Sequence, residues 1–140
     1  MSGILPDSPA WSLRRALVLV TVTCALLCAV AVAHAGAATN LNGTWLCCGG
    51  GGAAAQNFAI TEAKGALHGT AKLPSGKAFA KITGTVAGRK VRIVTTYLAS
   101  FSPGYVATFV GTVSANGKKM SGTWKSNASQ TGTWVATRRT

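Results

Sequence analysis

Hydrophobic and polar residues alternate with period two in eight short runs, so the face each residue occupies can be read from its parity. In the sixth run Tyr105, Ala107, Phe109, Gly111 and Val113 share one face, and Val106, Thr108, Val110 and Thr112 share the other. The same parity sets Val91, Ile93, Thr95 and Tyr97 against Lys90 and Arg92, and Met120, Gly122 and Trp124 against Lys125. It also sets Gly132, Trp134 and Ala136 against Thr131, Thr133 and Thr137, and it groups Leu41, Gly43, Trp45 and Cys47. These runs predict strands at 41–47, 56–62, 66–73, 78–87, 90–98, 105–113, 119–125 and 131–138. Between them lie turn signals at Ala63-Lys64-Gly65, Pro74-Ser75-Gly76-Lys77, Gly88, Ser102-Pro103-Gly104 and Asn116-Gly117, and a glycine-rich loop at 49–52.

A Gly-Thr dipeptide recurs in six of the eight runs, at Gly43, Gly69, Gly84, Gly111, Gly122 and Gly132. Each glycine falls on the face that carries the large apolar residues, where a missing side chain would relieve crowding and let the strand bend. A face that mixes Gly with Trp, Phe, Ile and Tyr suits a narrow barrel interior, in which large and small side chains interdigitate. The fold expected is all-β, an eight-stranded antiparallel up-and-down β-barrel whose closure removes aggregation-prone edges.

The first stretch belongs to targeting. Arg14 and Arg15 precede an apolar run at 16–33, and Ala33-His34-Ala35 has the small-x-small form of a signal peptidase site. This predicts a signal-peptide helix at 1–35 cleaved after Ala35, a single barrel domain at 36–140, and a secreted, periplasmic or cell-envelope location. The rival reading is an uncleaved N-terminal membrane anchor, since about 18 apolar residues can span a bilayer.

Several segments resemble the avidin and streptavidin family. Leu41-Asn42-Gly43-Thr44-Trp45, then Phe58-Ala59-Ile60-Thr61, then Gly65-Ala66-Leu67-His68-Gly69-Thr70 are similar to its opening strands in wording and order. Gly132-Thr133-Trp134 resembles the closing strands of small bacterial calycin-type (lipocalin-like) barrels. The resemblance implies the same eight-stranded barrel and does not carry the biotin site. Where the family has Asn two positions after the first Trp, this chain has Cys47; the family's loop Ser falls near Gly51, and its Tyr after the third-strand Gly-Thr is Ala71. The family's late buried Asp has no counterpart, because 36–140 contains no Asp. A site built to hydrogen-bond a polar ring loses about 1 to 3 kcal/mol for each buried group left unpaired, which argues against biotin.

Composition then narrows the chemistry. Catalysis fails on inventory: apart from Cys, Tyr and cationic side chains, 36–140 offers only Glu62 and His68, which read as a solvent-exposed pair on the outer face. Cys47 and Cys48 with one distant His lack the spaced pairs of a zinc site, so no metal and no cofactor is expected. The two adjacent cysteines leave three outcomes open: a vicinal disulfide ring, an intermolecular bond through Cys48, or two thiols without function.

The formal net charge is +12, and within 36–140 twelve Lys and Arg face the single carboxylate side chain of Glu62. Lys72, Lys81, Lys90, Arg92 and Lys125 take the outward parity and form a basic surface suited to polyanions. Phe79 and Phe101 are the only rings expected outside, too few for base stacking, so no specific nucleic acid is expected. The reading is a secreted, non-enzymatic binding module that holds a small apolar ligand in a lumen walled by Trp45, Phe58, Tyr97, Phe109, Trp124 and Trp134. The alternative is a basic envelope protein that binds polyanions.

Overall fold

The computed structural model describes residues 39–49 and 55–140, with Cys48 and Gly49 described by their backbone alone. The segment 1–35 and most of the glycine-rich loop lie outside the described residues. Strands β1 (Gly43–Gly49), β2 (Gln56–Ala63), β3 (Ala66–Lys72), β4 (Ala78–Ala87), β5 (Lys90–Tyr97), β6 (Val106–Val113), β7 (Lys119–Ser126) and β8 (Thr131–Arg138) close a barrel in chain order. Every neighbouring pair is antiparallel, and β8 returns to β1 with Cys47 opposite Ala136. The β2–β3 turn has Lys64 at φ 51° and Gly65 at φ 82°, the two-residue geometry whose twist matches the strands it joins.

Alternation holds along most strands because each has one face in the core and one in water. Trp45, Phe58, Leu67, Ile93, Met120 and Trp134 are buried, while Thr44, His68, Arg92, Thr123, Lys125 and Val135 stand outside. Parity breaks at one place. A β-bulge at Ala71/Lys72 shifts the pairing of β3 with β4, and both Phe79 and Ala80 then lie buried. The expectation of an exposed Phe79 is therefore wrong, since an inserted residue reverses every face assignment beyond it. Phe101 is exposed, as expected.

The repeat glycines act differently from the crowding expected of them. A Cβ on Gly69, Gly84, Gly111 or Gly122 would lie 1.9–2.1 Å from a backbone carbonyl oxygen of the adjacent strand. What these positions need is close backbone approach at the corners of a strongly coiled sheet, more than space within the lumen. Only at Gly132 does an aromatic side chain take the place, with Trp124 Nε1 2.7 Å from the Cβ position. Gly43 is exposed at φ 130° and ends the extended run, so β1 starts there and Leu41 precedes the strand.

Residues 39–42 close one end of the barrel. The Thr39 hydroxyl donates to Gly88 O in the β4–β5 turn, and Asn42 Oδ1 accepts from the Glu62 N–H near the β2–β3 turn. Arg138 on β8 donates to the carbonyls of Asn40 and Asn42 and to Gly117 O in the β6–β7 turn. Leu41 is drawn wholly inside, and its carbonyl accepts from the Trp45 indole at 3.0 Å. The chain thus crosses the end from β1 to the far turn and seals it.

Candidate ligand-binding site

The inward residues change size along the barrel. Toward the plugged end they are mostly large, Leu41, Trp45, Ile60, Leu67, Val113 and Met120, with Ala136 paired to Met120, all in the one buried core. Toward the opposite end, where β1–β2, β3–β4, β5–β6 and β7–β8 connect, they shrink to Cys47, Ala71, Ala80, Thr95 and Ala107. Small residues at this loop end leave the aromatic side chains as the wall.

Those rings form two sets. Phe109 lies at the centre, edge-on to Phe58 at 5.8 Å and to Trp134 at 5.6 Å and stacked on Trp124 at 6.1 Å. Nearer the rim, Tyr97 meets Tyr105 at 4.6 Å and Phe79 at 5.1 Å, and Phe79 reaches the exposed Phe101 at 5.9 Å. Offset and edge-to-face pairs of this kind favour a fixed wall over a fluid one.

Polar groups are few, with Gln56, Tyr97 and Tyr105 toward the rim and Thr95 buried. Burial pushes the Tyr97 phenol above its usual pKa, the neighbouring Tyr105 adds to the rise, a hydrogen bond with the Gln56 side chain opposes it, and Cys47 raises it further. The Tyr105 hydroxyl donates to Gln130 Oε1 at 2.7 Å, and the Thr95 hydroxyl to Ala107 O at 3.3 Å. The Trp134 indole donates to Val110 O at 3.2 Å, whereas the buried Trp124 indole nitrogen has no partner among the described residues. Such a surface can hold an apolar molecule by dispersion and desolvation and orient it with one or two hydrogen bonds.

Of the six lumen residues expected from sequence, Phe58, Phe109, Trp124 and Trp134 make up the inner ring set, and Tyr97 belongs to the separate set at the rim. Trp45 belongs to the plugged end, held between Leu41 and Arg138. Sequence reading missed Gln56, Phe79, Tyr105 and the small residues as a group. The signal was present in the change from Leu and Ile to Ala along the inward parity of successive strands. Cys47 is buried, and its relation to Cys48 lies outside the described side chains.

Glu62 and His68 do not face each other: Glu62 pairs with Leu67 and accepts from the Gly65 N–H, while His68 pairs with Thr61 and is exposed. The expected outer-face pair is thus divided between a turn cap and the outer surface. Among the described residues no three His, Cys, Asp or Glu side chains come together as a metal site. Lys72, Lys81, Lys90, Arg92 and Lys125 are all exposed on the outer face.

No protein-family model matches the chain, and no curated protein matches it. Among solved structures it resembles a shwanavidin variant in complex with biotin, with a TM-score of 0.55 and 20% identity over 73% of this chain and 100% of that one. Apo shwanavidin gives a TM-score of 0.54 and 20% identity, covering 73% of this chain and 98% of that one. The likeness is one of fold: an eight-stranded avidin-like barrel.

Proposed function

We propose that this protein is a secreted, non-enzymatic binding module that holds a small, largely apolar molecule at the loop end of its barrel. One observation carries the reading, the division of the interior into a packed, plugged end and an end of small residues walled by Phe109, Trp124, Trp134, Tyr97 and Tyr105. A barrel that needed only a core would gain by filling both ends with large side chains. The ligand is expected to present one polar atom to the Tyr97–Gln56 pair and a ring or branched hydrocarbon to the aromatic wall. Biotin fits poorly, because Cys47 and Ala71 stand where the resemblance would require Asn and Tyr, and 36–140 has no Asp. Secretion rests on the 1–35 pattern and predicts a mature chain beginning at Gly36.

Native mass spectrometry of the protein recovered from its own secretion route tests the reading. A bound small molecule in the wild type and its loss in Ala107→Trp, with thermal unfolding showing that the variant is folded, is the expected result. An empty wild-type barrel, or equal retention in a folded Ala107→Trp, would overturn the site.

A further inference from the structure

A second surface, separate from the lumen, lies on the outer face of β3, β4 and β5. Its outward residues include Lys72 on β3, Lys81 on β4, and Arg92 and Lys90 on β5, all exposed. Their order follows from the register: Lys72 pairs with Ala78, Lys81 with Thr70 and Thr96, Arg92 with Thr85, and Lys90 with Ala87. With about 3.3 Å per residue along a strand and about 4.8 Å between strands, the four make a diagonal stripe about 28 Å long, with steps of about 8, 14 and 7 Å. Thr83, Thr85 and Thr96, also exposed, stand along the longest step and offer hydroxyl donors there.

Two features decide what such a stripe can hold. No carboxylate lies on it, since Glu62, the single one in 36–140, caps the β2–β3 turn. No Phe, Tyr or Trp is among the outward residues of these strands, so stacked bases would find no platform. The face is also convex, as the outside of a closed barrel must be, and a stiff duplex would touch it over a short arc. We propose that this face is a track for a flexible, linear phosphodiester polymer without stacking bases, of the poly(glycerol phosphate) kind. Its phosphates pair with Lys72, Lys81, Arg92 and Lys90 in turn, and the threonines bridge the longest gap. Lys125, on β7, stands off the track.

Binding of the full-length protein to poly(glycerol phosphate) of defined length, measured between 50 and 200 mM salt, tests this. Four phosphate contacts give a slope of log affinity against log salt of about −3, a fall of about fifty-fold across that range. Replacing Lys81 and Arg92 together by Gln is expected to halve the slope, and replacing Lys119 and Lys125, both exposed on β7, together by Gln to leave it unchanged; thermal unfolding confirms that each variant is folded. Equal losses in both variants would mean attraction by net charge alone and would overturn the track. Tighter binding to single-stranded DNA, or to phosphatidylglycerol vesicles, would overturn the assignment of partner. Because no lumen residue takes part, loss of polymer binding and loss of the lumen ligand are independent results.

Discussion

The Arg138 guanidinium lies over the Trp45 indole, 4.5 Å from the ring centroid, while its nitrogens donate to the carbonyls of Asn40, Asn42 and Gly117. One side chain near the end of the last strand thus pins the segment that precedes the first strand, the β6–β7 turn and a fully buried ring. It completes the circle that the β8–β1 pairing begins.

Arg138→Met, which keeps the apolar stem and removes the charge, is expected to cost about 2 to 3 kcal/mol from the lost charged hydrogen bonds and cation–π contact. Urea denaturation measures it. Arg139→Met serves as the control: Arg139 is exposed and its backbone N–H, which bonds Thr44 O, survives the change. Equal costs at the two positions would show that Arg138 contributes only its charge.

Four of the six Gly-Thr glycines differ from the turn glycine Gly76, which lies outside the repeat, in what a methyl group would meet. Gly122→Ala places Cβ 1.9 Å from Val110 O, a clash with a backbone that has no room to yield, and the variant is expected to lose more than about 3 kcal/mol or fail to fold. Gly76→Ala, at a turn with φ 87° and open space, is expected to cost about 1 kcal/mol from backbone strain alone. Soluble yield and denaturation midpoint distinguish the two.

Sequence reading recovered the eight strands because closure leaves one face of each strand wet, and period-two alternation is that fact written in residues. Strands β4 and β8 begin and end where the alternation does. Phe79 was misplaced because a bulge changes parity without changing composition. The plug was hidden for another reason: Leu41 continues the alternation of β1, and nothing in its neighbours announces that Gly43 turns the chain at φ 130°. The basic outer residues were legible from parity, whereas their alignment into one stripe depends on strand register. The same holds for the rim of the candidate site, where Gln56 and Tyr97, far apart in sequence, meet only through closure.

The raised pKa of Tyr97 gives a pH dependence with a definite sign. The folded protein holds the phenolic proton more tightly than the unfolded chain, so the stabilisation is fully present below the unfolded value near 10 and is lost as pH rises through the higher folded value. Stability is therefore expected to fall above about pH 10 and to fall less steeply in Tyr97→Phe. Denaturation midpoints at pH 8 and pH 11 measure the difference. An unchanged slope in the variant would show that Tyr97 ionises in the folded protein as it does in the open chain.

Trp124 and Trp134 offer a matched comparison, since both touch Phe109 and differ in what their indole N–H meets. The Trp134 N–H reaches Val110 O at 3.2 Å, while the Trp124 nitrogen is buried beside Gly132 with no partner among the described residues. Trp134→Phe removes a made hydrogen bond and opens a small cavity, an expected loss of about 2 to 3 kcal/mol. Trp124→Phe opens a similar cavity but also removes a buried donor whose isolation costs about 1 to 3 kcal/mol, so the two effects oppose and the net change is expected within about 1 kcal/mol of zero. Urea denaturation of both variants reads the contrast directly. A loss at Trp124 as large as that at Trp134 would mean that a partner satisfies this indole in solution. An acceptor atom on a bound ligand would then be the first candidate, and repeating the comparison on protein stripped of small molecules would decide it.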